Sequence, residues 1–294
     1  MAVGITTGNT IGVIGLGIMG ASMARNLMKA GFPVHGYTRT KGRAEGLIVD
    51  GLVWQETPAA LAAACDVIIT MVGYPQDVED TYYGEGGILA HARPGSYLID
   101  MTTSSPSLAA KIAQDAEARA LHALDAPVSG GDVGAREGTL AIMCGGRQED
   151  FDAVLPVFQA MGKTIALLGP AGAGQHTKMV NQIVIAGTIM GVAEAMSYAG
   201  RAGLDRDKVL DVIGQGAAGG FQLNVLGRRM AQGDFGPGFF VHHFQKDMGI
   251  AAAEAEDLGL DLRALHLALL QFQRYVDEKN GRERGTHGIL ELYD

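Results

Sequence analysis

A chain of 294 residues is long enough to outgrow a single core, so two domains are the starting expectation. With 47% hydrophobic and 19% charged residues it has the composition of a folded globular protein, which excludes wholesale disorder. A formal net charge of -9 opposes polyanions, excludes a broad nucleic-acid-binding face, and requires any anionic ligand to be held at a local positive site.

The opening MAVGITTGNT lacks the basic flank and apolar core of a secretion signal. No run reaches the roughly 18 uninterrupted apolar residues that a membrane span needs. Only Cys65 and Cys144 are present, each in apolar surroundings, a pattern of buried thiols rather than of a disulfide framework or a metal site. A reducing cytoplasm is the expected compartment.

From residue 11 to about 165, short β-branched runs alternate with amphipathic stretches. IGVIG, FPVHGYT, DVIITMV, SYLIDMT, LHALDAP, TLAIMCG and KTIALLG read as strands; ASMARNLMKAG, TPAALAAAC, PSLAAKIAQDAEARA and QEDFDAVLPVFQAM read as helices. The alternation predicts a parallel sheet wrapped by helices, an α/β domain over 1–168. The glycine cluster 169–174 marks a boundary, and 169–294, rich in Ala, Met and Leu without convincing strands, reads as all-helical. Its first segment, HTKMVNQIVIAGTIMGVAEAMSYAGRAG, is long and apolar enough to be a core helix shared between domains or subunits. A homodimer or homotetramer is therefore expected.

The first strand runs straight into GLGIMG, glycines 15, 17 and 20 at the spacing G-x-G-x-x-G, and then into a helix. A lone match is weak in a chain with 43 glycines, but strand before and helix after are what a dinucleotide site requires. Gly15 would make the turn, Gly17 would let backbone approach the pyrophosphate, and Gly20 would let helix and strand pack closely. The whole loop, with Leu16, Ile18 and Met19, would then wrap the phosphates at a helix N-terminus, as in a Rossmann-type domain.

The second strand ends at Arg39, where an NAD enzyme would carry an acidic residue to accept the ribose 2'-hydroxyl. A guanidinium cannot accept a hydrogen bond but pairs well with phosphate, and Thr40, Lys41 and Arg43 add donors and positive charge beside it. NADP is the expected cofactor and NAD the alternative; a solvated basic loop is the non-functional reading of the same residues.

Hydride chemistry needs a group to move the accompanying proton. Two isolated cysteines do not make a catalytic zinc site, and the adjacent His242 and His243 have no third ligand near them in sequence. The Tyr-x-x-x-Lys match at Tyr275 and Lys279 lies in a charged helix end far from the strands, a solvated face. There remain Lys178 and Asn181, three apart and so neighbours on one helical face just after the glycine cluster. Together they could hold an oxygen, the ammonium donating the proton. Burial and the charge of oxidised nicotinamide would lower the lysine pKa and favour the neutral base in the reverse direction. On spacing alone a solvated lysine remains the other reading.

Five ordered motifs then carry a resemblance over nearly the whole chain: GLGIMGASMARNL, DMTTSSP at 100–106, DAPVSGG at 125–131 followed by GTL, GAGQHTKMVNQ at 172–182 and FGPGFFVHHFQKDM at 235–248. Together they resemble the β-hydroxyacid dehydrogenase family. The resemblance implies that Lys178 is catalytic with Asn181 its helper, and that Ser129, Gly130 and Gly131 bind the substrate carboxylate. It also places Thr103 beside nicotinamide and substrate, Phe239 in the substrate pocket, and Lys246 toward the cofactor with Asp247 orienting it. TMVGYP at 70–75 departs from the Thr-Met-Leu-Pro of many members and alters the loop that carries Val72 and Gly73 over the cofactor.

Arg39 matches the NADP-using reductase branch rather than the members with an acid nearby. The expected reaction is interconversion of a small carboxylate-bearing aldehyde, of semialdehyde or glyoxylate type, with its hydroxy acid. An NAD-dependent 3-hydroxyisobutyrate dehydrogenase is the alternative. An imine reductase resembles this layout with an acid or tyrosine in place of the lysine, and Lys178 argues against it; a catalytically silent nucleotide-binding module is the reading from another class, which Lys178, Asn181 and Ser129 together disfavour.

Overall fold

The computed structural model describes residues 4–293. Contacts divide the chain into one compact unit that ends at Lys178 and a second that begins at Met179.

In the first unit, strands and helices alternate: β1 (Ile11–Ile14), α1 (Ile18–Lys29), β2 (Val34–Tyr37), α2 (Glu45–Val49), β3 (Val53–Trp54), α3 (Pro58–Ala64), β4 (Val67–Thr70), α4 (Pro75–Tyr83), α5 (Ile88–His91), β5 (Tyr97–Asp100), α6 (Pro106–Glu117) and β6 (His122–Asp125). These six strands form one parallel sheet in the order β3-β2-β1-β4-β5-β6. That is the doubly wound order, and its topological switch lies between β1 and β4. β1, β4 and β5 are buried throughout, which is why they read as unbroken apolar runs. Val67 and Ile69 enter one core cluster and Ile68 the other, as the two-residue period of a strand requires.

TLAIMCG and KTIALLG do not extend this sheet. Beyond β6 the chain runs on in the same direction through Ala126 and Pro127, with Asp125 and Gly145 exchanging backbone hydrogen bonds of 3.1 and 2.8 Å in an antiparallel bridge. β7 (Val128–Ser129), α7 (Gly131–Glu137), β8 (Leu140–Cys144), α8 (Gln148–Gln159) and β9 (Gly162–Leu167) follow, and β7-β8-β9 make a second sheet. β7 runs antiparallel to β8 in the register that the Asp125–Gly145 bridge begins, so Val128 and Ser129 continue the line of β6 and the chain turns back only through the glycines and α7 that follow. Cys65 and Cys144 are both buried and free, and burial pushes the Cys65 thiol up to about 12.

α9 (Ala173–Arg201) leads into α10 (Arg206–Ile213), α11 (Arg228–Ala231), α12 (Val241–Asp257) and α13 (Arg263–Lys279). By length and composition α9 would suit a membrane span, yet Ala186, Ile189, Met190, Ala193 and Met196 along it are buried in the core of the helical unit. Phe244 and Phe272 meet edge to face there, with ring centroids 5.1 Å apart, and lock α12 to α13.

Gly174, in the first turn of α9, lies against backbone. An added Cβ would meet the Met143 carbonyl oxygen, with the Asp125 carbonyl at 2.7 Å and its carboxylate at 2.8 Å. Gly174→Ala is therefore expected to lower unfolding free energy by about 2 kcal/mol, as overpacking against rigid neighbours does. Thermal and urea unfolding measure it, and an unchanged midpoint would show that this turn has slack.

Candidate active site

At the switch point the chain leaves β1 through Gly15, whose φ of +97° suits glycine. A Cβ on Gly15 would strike the Met71 carbonyl, and one on Gly20 would strike the Gly15 carbonyl, so α1 can begin this close to the sheet only with glycine at both places. Gly17 differs: nothing stands within 4 Å of where its Cβ would be. It is the N-cap of α1, without a side-chain cap and without an acid in the first turn. The helix therefore offers first-turn N–H groups toward open space, the arrangement that receives a pyrophosphate. Leu16 is buried beneath the loop, Met19 packs partly on the core, and Ile18 is 62% exposed at its rim. On the far side of the switch, the Val72 N–H donates to Thr102 Oγ1 at 3.0 Å, pinning the loop that continues through Gly73.

Beyond β2, Arg39 is 84% exposed and its guanidinium lies 3.4 Å from Asp77 at the start of α4. Lys41 pairs with Glu56 at 2.9 Å and stands over the Trp54 ring, 5.2 Å from its centroid. Thr40 precedes the short turn Lys41–Ala44 and spends no side-chain bond capping it. Exposed ion pairs like these contribute little to stability and exchange partners readily. The glycine cradle and these cations together fit a nicotinamide dinucleotide, and the cations suit a phosphate at its ribose end.

The lysine is set by the first two turns of α9. Asp125, the last residue of β6, accepts hydrogen bonds from the N–H of Gly172 at 2.7 Å and of Gln175 at 2.8 Å, one on each carboxylate oxygen. Burial pushes this carboxyl up from its ordinary value, and those backbone donors oppose the shift. Gln175, itself buried, straps the turn after β5: its Nε2 donates to the Thr102 carbonyl at 2.7 Å and its Oε1 accepts from Ser104 N–H at 3.0 Å. Thr103 stands in the middle of that strap. Three residues beyond Gln175, Lys178 is 7% exposed and its Nζ donates to the Val128 carbonyl at 2.9 Å. Ser129, Gly130 and Gly131 follow Val128 directly, the two glycines with φ of +130° and +63°. The first unit thus gathers the lysine, the strand end that precedes it, and the expected carboxylate-binding residues.

In the second unit, Asn181 Nδ2 donates to Gln182 Oε1 at 2.7 Å, and Gln182 Nε2 donates to Asp247 Oδ2 at 2.6 Å. The other Asp247 oxygen lies 3.0 Å from Lys246 Nζ. Gln182 and Asp247 are buried, at 1% and 2% exposure. Phe239, just before α12, packs against Phe244 with centroids 5.7 Å apart.

Residues 10–169 match the profile of the NAD binding domain of 6-phosphogluconate dehydrogenase, and residues 172–293 that of the NAD-binding region of NADP-dependent 3-hydroxyisobutyrate dehydrogenase. An uncharacterized oxidoreductase of Bacillus subtilis is 54% identical over 97% of this chain and 98% of its own. The 2-hydroxy-3-oxopropionate reductase of Escherichia coli is 40% identical over 86% of each chain. Among solved structures, 3-hydroxyisobutyrate dehydrogenase of Mycobacterium tuberculosis with L-serine superposes with a TM-score of 0.88 at 30% identity, covering 97% of this chain and 98% of that one.

The chain belongs to the β-hydroxyacid dehydrogenase family. It is an NAD(P)-dependent hydroxyacid dehydrogenase with the Rossmann-type and helical parts of that family.

Within this β-hydroxyacid dehydrogenase fold, three residues that hold the site in shape escaped the reading of the sequence: Asp125, Gln175 and Gln182. Asp125 ends an apolar strand, and Gln175 and Gln182 flank the lysine on a helix that is otherwise mostly apolar. A polar residue at such a place is a signal, but its partner is not written beside it.

Asp100, at the end of β5, is buried and accepts from Thr70 Oγ1 at 2.8 Å and Thr102 N–H at 3.1 Å. Burial nonetheless pushes its carboxyl up to about 6, from an ordinary value of 3.8. A raised folded-state pKa means the native state holds the proton more tightly, so this group's contribution is full below about 3.8 and is lost as pH rises through about 6. Asp100→Asn, which keeps an acceptor oxygen and removes the charge, is expected to gain on the parent by on the order of 2 kcal/mol between pH 4 and pH 7. Urea unfolding at the two values measures the difference; a constant gap would refute it.

Proposed function

We propose that this chain is an NADP-dependent reductase of small carboxylate-bearing aldehydes, reversible toward their hydroxy acids, with Lys178 as general acid and base. The observation that carries the reading is the buried Lys178 ammonium held 2.9 Å from the Val128 carbonyl, one residue before Ser129. A carboxylate received by the Ser129 hydroxyl and the N–H groups of Gly130 and Gly131 would leave its neighbouring carbonyl oxygen toward that amine. Lys178 then donates a proton to this oxygen as the carbonyl carbon is reduced. In the reverse direction its neutral amine accepts the hydroxyl proton.

Bound NADPH supplies the hydride. Asn181, one helical turn from Lys178, helps hold the reacting oxygen, and Thr103 borders the same turn of α9 through the Gln175 strap. The same reading assigns Phe239 to the substrate pocket and Lys246 to cofactor binding. Arg39, Thr40 and Lys41 favour the 2'-phosphate, since a guanidinium cannot accept from a 2'-hydroxyl. The Asp77 carboxylate beside Arg39 is an acceptor on the same surface, which makes the comparison with NAD informative.

Glyoxylate, succinic semialdehyde, methylmalonate semialdehyde and tartronate semialdehyde, each with NADPH and NADH, form the test. Turnover with NADPH on at least one is expected, and Lys178→Ala should cut kcat about 10³-fold while NADPH still binds. Tight NADPH binding without turnover on any of them would support the silent module instead. Arg39→Ala is expected to raise KM for NADPH about 10-fold or more and leave KM for NADH within about 2-fold, the loss of one charge-assisted contact. Equal effects on the two cofactors would remove Arg39 from cofactor choice.

A further inference from the structure

Two cations after β2 each face a carboxylate, and the two carboxylates are held differently. Glu56, the partner of Lys41 at 2.9 Å, has a side chain 74% exposed. Asp77, the partner of Arg39 at 3.4 Å, is only 24% exposed, and its other oxygen accepts the Tyr74 N–H at 3.1 Å at the start of α4. That bond fixes Asp77 on its helix. Arg39, 84% exposed, is the arm of the pair that moves.

The place of this contact matters more than its strength. Ile14 of β1 pairs with Tyr37 of β2 on one side and with Thr70 of β4 on the other, so the three strands end level. Arg39 follows β2 and Asp77 follows β4, so their contact passes over the carboxyl end of β1, where the glycine loop begins. A dinucleotide bound at this switch point brings the 2'-position of its adenosine to the end of β2. A carboxylate that reaches Arg39 then stands close to whatever Arg39 receives.

We propose that Asp77 is a second determinant of cofactor choice, opposed to Arg39: it holds the guanidinium in the empty protein and repels a 2'-phosphate in the bound one, so it weakens NADPH binding and leaves NADH binding almost untouched. The inference rests on the functional reading of Arg39 and deepens it. A phosphate monoester carries nearly two negative charges at neutral pH, and a ribose 2'-hydroxyl carries none. Two effects of Asp77 on NADPH have opposite signs. As an ion-pair partner it could steer Arg39 toward the phosphate, but one exposed contact of 3.4 Å orders a long side chain little. As a charge it repels the phosphate whatever the rotamer of Arg39, and the repulsion scales with both charges. Repulsion prevails.

Asp77→Asn removes the charge and keeps an acceptor oxygen for the Tyr74 N–H; Asp77→Ser removes the charge with a different shape. Dissociation constants of NADPH and NADH, read from the fluorescence of the bound reduced nicotinamide, need no substrate and no turnover. At low ionic strength both variants are expected to bind NADPH about 5-fold more tightly than the parent, with NADH within about 2-fold. In about 0.5 M NaCl the gain should fall below about 2-fold, since exposed charges are then screened. An unchanged or weaker NADPH constant, an equal gain for the two cofactors, opposite results from Asn and Ser, or a gain indifferent to salt would each overturn the proposal.

Arg39→Ala, titrated in the same way, separates this outcome from the functional reading. If it weakens NADPH alone while the Asp77 variants change nothing, the proposal falls and the reading of Arg39 stands. If it changes nothing while the Asp77 variants tighten NADPH alone, the part given to Arg39 falls and the repulsion by Asp77 stands.

Discussion

One carboxylate organises the reactive half of this molecule. Asp125 ends β6, and its two oxygens receive the N–H groups of Gly172 and Gln175 at the entry to α9. A helix start left bare would expose donors in a buried place, at a cost of roughly 1–3 kcal/mol for each. Asp125 satisfies them and in the same stroke fixes the axis along which Lys178 and Asn181 stand. The lysine's hold on Val128 follows, because Val128 lies three residues beyond Asp125 on the same line of chain, as Lys178 lies three residues beyond Gln175.

The amine therefore depends on packing more than on loops. A Cβ added to Gly145 or Gly174 would stand 2.5 Å or 2.8 Å from an Asp125 carboxylate oxygen, so neither position has room for a side chain. Gln175 carries the same turn across to Thr102 and Ser104. Strand end, helix start and the turn after β5 are tied by hydrogen bonds that few side chains could reproduce. Such a site is preorganised: its geometry is set at folding and asks little of the substrate.

The architecture was legible because its signals are local. Strands buried on both faces read as short apolar runs, and the parallel order followed from the helices between them. β3, with two residues, was too short to show a period, and β7 was hidden in DAPVSGG, whose proline and glycines read as a turn. TLAIMCG and KTIALLG have the texture of parallel strands but belong to a second sheet, because the chain that runs on from β6 pairs antiparallel with β8, a partnership that no local signal records. Site residues divide the same way. Lys178, Asn181 and the three cradle glycines announced themselves by spacing, whereas Asp125, Gln175 and Gln182 act through partners 47 to 73 residues away. No window along the chain contains both ends of those contacts.

The glycine pair after Ser129 has a wider bearing. Gly130 and Gly131 sit at φ values where few other residues rest, yet they close no core and their strand is two residues long. The Lys178 amine is fastened to the Val128 backbone just upstream of that pair. The residues after Gly131 could therefore change while the Lys178 nitrogen keeps its hold on the Val128 carbonyl. The anchor of the amine and the glycine turn lie on adjoining but separable stretches of chain.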